Sequence, residues 1–221
     1  MAKQAKKPDE SIIRIEDANV KYATVVIEGD GDLVLNKMNA SNERALLSDD
    51  RKAQSVWEAQ HNNKWEQIIT SIHWRDGIPC EDTNAECTEE MFFEMLEKNA
   101  PCITAFGLKK SWGQALRDNK FETYANKFNN AVNIVAPCGL VPITFAEWKL
   151  DTRLMTPKRG SPVTTRLSHF QGWRAEIPIA YTDHVYTTNE IITIINYAGF
   201  GIGIGSGRSS GYGRYHVVDV K

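Results

Sequence analysis

The chain has 221 residues, of which 42% are hydrophobic and 24% charged, and its net charge is −2. That balance suits a soluble globular protein of one large or two small domains, and no apolar run reaches the roughly 18 residues that a membrane span needs. Met1 to Lys7 lacks the apolar stretch of a secretory signal, so a cytoplasmic protein without a membrane partner is expected.

Cys80, Cys87, Cys102 and Cys138 contain no C-x-x-C pair, so reduced thiols are expected rather than a zinc site, and no metal or other cofactor is assigned. The sequon Asn39-Ala40-Ser41 is expected to carry no weight, because glycosylation needs the secretory route. The modest net charge conceals a gradient: from Gly139 onward nine Lys/Arg face six Asp/Glu, and the part before it is acidic. A basic C-terminal part is compatible with a polyanionic partner and equally with a mixed, solvated surface.

Residues 1 to 10 are polar, Lys-rich and free of aromatics, and read as a disordered basic tail. From Ser11 to about Ile27, alternation at Ile13 and Ile15 and the β-branched run Thr24-Val25-Val26-Ile27 predict one or two strands. Gly29-Asp30-Gly31-Asp32 then closes them as a turn, since it lacks the further acidic ligands of a calcium loop. Between about Asn39 and Asn130 the period becomes helical. Thr88 is a cap for a helix with Phe92, Met95 and Leu96 on one face, and Pro101 suits the first turn of a helix carrying Ile103, Phe106 and Leu116. Phe121, Tyr124, Ala125 and Phe128 follow the i, i+3, i+4, i+7 rule, and Trp57, Trp65, Trp74 and Trp112 are expected in the core.

Strands return at Val132 to Val135, Leu140 to Phe145 and Trp148 to Leu154, and Pro157 to Pro162 is a turn carrying Lys158 and Arg159. Trp173, Ala175, Ile177 and Ile179 alternate with Arg174 and Glu176 as a half-buried strand, which Pro178 places at an edge or a bulge. Thr187 and Glu190 form a capping-box pattern for a helix striped with Ile191, Ile194, Ile195 and Ala198, which Gly199 is placed to end in a left-handed conformation. A last strand follows from about Gly213 to Val220. The order predicts an α+β fold: a ferredoxin-like (RRM-like) βαββαβ core over residues 11–221, with a large helical insertion, about 39–130, after the first strand.

Seven of the fifteen residues from Gly199 to Gly213 are glycine, and this run joins the last helix to the last strand. That order excludes a Walker A loop, a dinucleotide fingerprint and a nucleophile elbow, all of which turn from strand into helix. Two readings stand. Successive N–H groups of a glycine-rich loop can form an anion nest for phosphates, flanked by Arg208 and Arg214, with Phe200, Tyr212 and Tyr215 as base platforms. Alternatively, the loop is a tightly packed connection beside a sheet.

The stretch Ala198 to Val218, AGFGIGIGSGRSSGYGRYHVV, with the preceding QGWRAEIPIAYTDHVYTTNEIITIINY, resembles the RAMP superfamily, the RNA-binding proteins of CRISPR systems. Within it the chain is most similar to solitary, phage-encoded relatives of the CRISPR effector backbone subunit. It departs from them just after the first strand, where Gly31-Asp32-Leu33-Val34-Leu35-Asn36-Lys37 stands in place of a Pro-Leu and a basic or His residue. Only the loop and its basic neighbours are therefore carried over.

The resemblance implies a non-enzymatic binder of single-stranded RNA or DNA that assembles along the strand as a homo-oligomer or filament. Gly203, Gly205, Ser206, Gly207, Arg208, Ser209, Tyr212 and Arg214 would grip phosphates, and Arg153, Lys158, Arg159, Arg166 and Arg174 would extend the track, with Lys109 and Lys110 adding from the helical region. Two alternatives remain: an interaction protein that acts on CRISPR effector subunits as an inhibitor, and a metal-dependent nuclease using His169 or His184 with a carboxylate such as Asp183.

Overall fold

The computed structural model describes residues 19–61, 63–78, 87–119, 125–155 and 163–221. The basic tail, Ile13 and Ile15, Phe121 and Tyr124, and the turn with Lys158 and Arg159 lie outside these residues. The chain begins with β1 (Val20–Gly29) and the short β2 (Leu33–Leu35). Three helices follow, α1 (Ala40–Leu47), α2 (Arg51–Gln60) and α3 (Lys64–Thr70). Each starts at an Asn or Asp, namely Asn39, Asp50 and Asn63, whose side chain accepts from a first-turn amide. Then come β3 (His73–Trp74), α4 (Glu89–Lys98), β4 (Pro101–Thr104), α5 (Ala105–Asp118), α6 (Ala125–Ala131), β5 (Val132–Ile134) and β6 (Leu140–Thr144). The chain closes with β7 (Glu147–Met155), β8 (Val163–Gln171), β9 (Arg174–Thr182), α7 (Thr188–Gly201) and β10 (Tyr215–Val220).

The fold is mixed α+β with antiparallel sheets. One sheet runs β10-β1-β9-β6-β4-β3, with β5 also paired to β9, and the other runs β2-β8-β7. The core lies between the larger sheet and α5 and α7: Val25 and Ile27 of β1, Ala175, Ile177 and Ile179 of β9, Leu108 and Trp112 of α5, and Ile191, Ile195 and Ala198 of α7 share one apolar cluster. Alternation places those β9 residues on one face, as the sequence predicts, and the Thr187–Glu190 capping box forms in both directions.

Four local expectations are corrected. Pro101 opens a strand rather than a helix: β4 pairs with β3 and β6, a strand's first residue needs no amide donor, and Thr104 caps α5 instead. Phe106, expected to face the core with Ile103 and Leu116, is 77% exposed, because moving the helix start to Ala105 turns Leu108, Trp112 and Leu116 inward. Pro178 sits in a central strand. It lies where the partner of β9 changes from β6 to β5, and its carbonyl accepts from Val135 there while no amide is required of it. Finally, Trp74 and Trp112 are buried and Trp65 packs against the core, but Trp57 is 48% exposed and stacks on His61.

Candidate nucleic-acid interface

The glycine-rich run is held by its own backbone. Gly199 does not end α7; the helix continues to Gly201, the Ala198 carbonyl accepts from both Ile202 and Gly203, and Gly203, at φ 73°, is the left-handed residue. Gly199 is required for another reason: a Cβ there would lie 1.9 Å from the Tyr215 carbonyl oxygen as β10 crosses the helix. Gly213 combines both demands, with φ 69° and a Cβ position 1.9 Å from the Ile204 carbonyl oxygen.

The two limbs of the loop therefore press on each other and on β2. Ile204 donates to Gly213, Gly213 to Asp32 and Ser206 to Val34, at 2.8 to 3.0 Å. Much of the amide set that an anion nest would use is thus spent on carbonyls. The N–H groups of Gly205 and Gly207 make no hydrogen bond among the described residues.

The cations named from the sequence fall into two groups. Arg174 pairs with Glu28 at 2.8 Å, and Arg153 pairs with Asp151 and donates to the Tyr212 hydroxyl at 2.9 Å. Arg166 donates to Gln67. Arg214 is half-buried: its Nη2 donates to the Arg208 carbonyl at 3.3 Å and braces the loop from within, while Nη1 is buried without a partner. Arg208 is the loop cation that reaches open space, and among the described residues it has no carboxylate partner.

Arg208 borders two depressions that share lining residues and together form a groove. The first, about 260 Å³, is bordered by Lys37, His73, Lys110, Ser206 and Arg208. The second, about 650 Å³, shares Lys110, Gly205, Ser206 and Arg208 with it and extends past Gly207 and Ser209 to Arg214. A third, about 720 Å³, shares Asn36 and Lys37 with the first and extends to Arg51 and Arg166. Among the described residues, no Asp or Glu lines any of the three. In a chain with more acidic than basic residues, six cations thus line three depressions that share lining residues, with backbone amides and hydroxyls but no Asp or Glu among the described residues between them.

Lys37 and Arg51 carry no local signal that separates them from other surface cations. Lys37 joins the groove because β2 lies under the glycine loop some 170 residues later in the chain, whereas Arg51, the first residue of α2, borders only the third depression. Burial, and next the charge of Lys37, hold the His73 imidazole below its ordinary pKa. Lys109 turns away to the Asn129 carbonyl and Asn133, while Lys110 faces the groove.

The expected base platforms also divide. Tyr215 is buried, with its hydroxyl accepting from the Trp112 indole at 3.1 Å, and burial pushes its pKa up. Tyr212 is engaged by Arg153 and meets the His169 ring edge-on at 5.1 Å. Phe200 is 83% exposed.

His169 does not meet Asp183, which pairs instead with Lys21 at 2.6 Å. It is enclosed between two other carboxylates, with Nδ1 3.1 Å from Asp32 and Nε2 3.6 Å from Asp151. The two carboxylates address opposite ring nitrogens, so they do not converge on one ion. Among the described residues no three His, Cys, Asp or Glu side chains are grouped to hold a metal.

No family model matches the chain, and no curated protein matches it in sequence. Among solved structures it is similar to a chain of the Type III-B Cmr-beta bound to cognate target RNA, with 15% identity and a TM-score of 0.48. The alignment covers 91% of this chain and 60% of that one, so this chain spans well under two thirds of its neighbour's length. It is also similar to Cmr6 from Pyrococcus furiosus, with 9% identity, a TM-score of 0.39 and coverage of 90% and 98%. At these values neither neighbour bears on function.

Proposed function

We propose that the protein binds single-stranded nucleic acid, RNA or DNA, along the carboxylate-free groove and does not cleave it. The observation that carries this reading is the set of six cations, Arg51, Arg166, Lys37, Lys110, Arg208 and Arg214, lining depressions that share residues, with no Asp or Glu among the described residues that line them. Lys37, Lys110 and Arg208 are central to it because no carboxylate partner among the described residues offsets their charge. A phosphodiester backbone presents the repeated charge that such a channel accommodates, and contacts of this kind carry little base preference.

The strand order β10-β1-β9-β6 with α5 and α7 packed together supports a ferredoxin-like core within a RAMP-like protein. Assembly of several copies along one strand, with or without CRISPR effector subunits, belongs to the same proposal. The binder reading over the nuclease reading is supported by His169, whose ring nitrogens are buried between Asp32 and Asp151 rather than presented to the groove.

The test is the salt dependence of binding to a labelled single-stranded oligonucleotide. Each phosphate neutralised contributes about −0.7 to the slope of log K against log salt for single strands. Lys37→Ala, Lys110→Ala and Arg208→Ala combined should therefore flatten the slope by about 2, with the oligonucleotide intact after incubation with magnesium or manganese. Salt-independent binding, or cleavage of the strand, would overturn the proposal.

A further inference from the structure

Two exposed aromatic rings stand next in sequence to residues of the groove. Phe106, in the first turn of α5, is 77% exposed, and Phe200, in the last turn of α7, is 83% exposed. Both rings stand at helix ends, each next in sequence to residues that line the groove without lining it themselves. Gly107, Leu108 and Lys110 line it just beyond Phe106, and Gly201 and Ile202 line it just beyond Phe200. Phe106 and Lys110 are one helical turn apart on the same face, with the ammonium 6.0 Å from the ring centroid, so one side of α5 presents a cation and an aromatic face together.

Core packing does not account for these rings. Leu108, Trp112, Ala115 and Leu116 supply the buried side of α5, and Ile191, Ile194, Ile195 and Ala198 that of α7. A phenylalanine has no polar atom to justify its position in water; Phe106 stands beside Lys110, and Phe200 directly precedes Gly201, which lines the same depression as Lys110 and Arg208.

We infer that Phe106 and Phe200 are stacking platforms for unpaired bases of the strand whose phosphates lie along Lys110 and Arg208. This inference rests on the reading of the groove as a nucleic-acid interface and adds what distinguishes a single strand from a duplex. In a duplex the base faces are already stacked on one another and only the phosphates are offered, so its binding would use the cations and leave both rings in water. A single strand can bring a base onto Phe106 while the neighbouring phosphate meets Lys110. Every base has a π-face, so the arrangement discriminates strandedness without selecting sequence.

The experiment compares a labelled single strand with the same strand annealed to its complement, using the wild-type chain and the variants Phe106→Ala, Phe200→Ala and Phe106→Trp. Each alanine should weaken single-strand binding roughly five- to hundredfold while leaving duplex binding and the salt slope unchanged. Phe106→Trp should restore or strengthen it. Both rings are exposed, so these variants keep the fold, which thermal unfolding checks.

Unchanged single-strand affinity in both alanine variants would overturn the inference, and so would equal loss of single-strand and duplex binding. A change in the particle size of the free protein on losing either ring, with nucleic-acid affinity intact, would assign the rings to a protein contact and overturn it as well. If the rings fail while Lys37→Ala, Lys110→Ala and Arg208→Ala still abolish binding, the groove stands without its platforms. If those charge substitutions also change nothing, the reading of the groove itself falls.

Discussion

Arg153 and Arg174 carry the same charge as Arg208, yet they belong to a different kind of surface. On the β7 and β9 side each cation already faces a carboxylate, Asp151 for Arg153 and Glu28 for Arg174. On the loop side Lys37, Lys110 and Arg208 border one depression that no Asp or Glu among the described residues lines. A phosphate approaching Arg174 must compete with Glu28, whereas one approaching Arg208 relieves repulsion among neighbouring cations. Counting basic residues along the chain treats the two sides alike; only the occupancy of each cation separates them.

The largest effect that can break this comparison comes from the backbone under the groove. Gly213→Ala places a methyl against the Ile204 carbonyl in a left-handed conformation, and Gly199→Ala places one against the Tyr215 carbonyl. Each should cost about 3 kcal/mol or more in urea unfolding, by collision and strain at positions whose neighbours are main chain. In the folded fraction, binding should fall as the platform of Arg208 shifts. Retention of wild-type stability in both variants would mean that the loop can leave β2 at little cost.

A smaller effect sharpens the contrast between paired and unpaired charge. Arg153→Ala combined with Arg174→Ala should change oligonucleotide affinity by less than about threefold, because each exposed cation is already offset by a carboxylate. A loss matching that of the Lys37, Lys110 and Arg208 variant would erase the distinction between the two sides.

The smallest effect concerns His73, which borders the groove beside Lys37. Burial first, and Lys37 next, lower its pKa from the ordinary 6.5, so below that value the unfolded chain binds more protons than the folded one. The stability it contributes is therefore full above about pH 6.5 and declines as the pH falls. His73→Gln should remove that part of the pH dependence of the urea midpoint. An unchanged pH profile would show that the imidazole is hydrated.

Some of this was legible residue by residue. The Thr88 and Thr187 caps, the alternation of Ala175, Ile177 and Ile179, and the helix-to-strand position of the glycine run follow from local chemistry and stand where expected. Two glycine-run details were not legible. With a glycine at every second position from Gly199 to Gly207, the left-handed cap could not be told from the close-approach site. Nor could the sequence say which amides would be consumed by Val34, Asp32 and Gly213. For Phe106 the signal was misread, because a short apolar run around Pro101 and Ile103 suits a strand as well as a helix, and the register of α5 depends on which it is.

By itself the sequence determined the elements whose causes are local: capping side chains within one turn, alternation along one strand, and a loop with too little side chain to fill its own space. Tertiary structure decided which cations stand together without a carboxylate among the described residues. Lys37 and Arg208 border one depression only because β2 lies beneath the glycine loop, and Arg174 is paired because β1 sets Glu28 opposite it. Charge acts through space over a few ångströms. The chain order that fixes caps and strands therefore carries almost no information about which charges will stand alone.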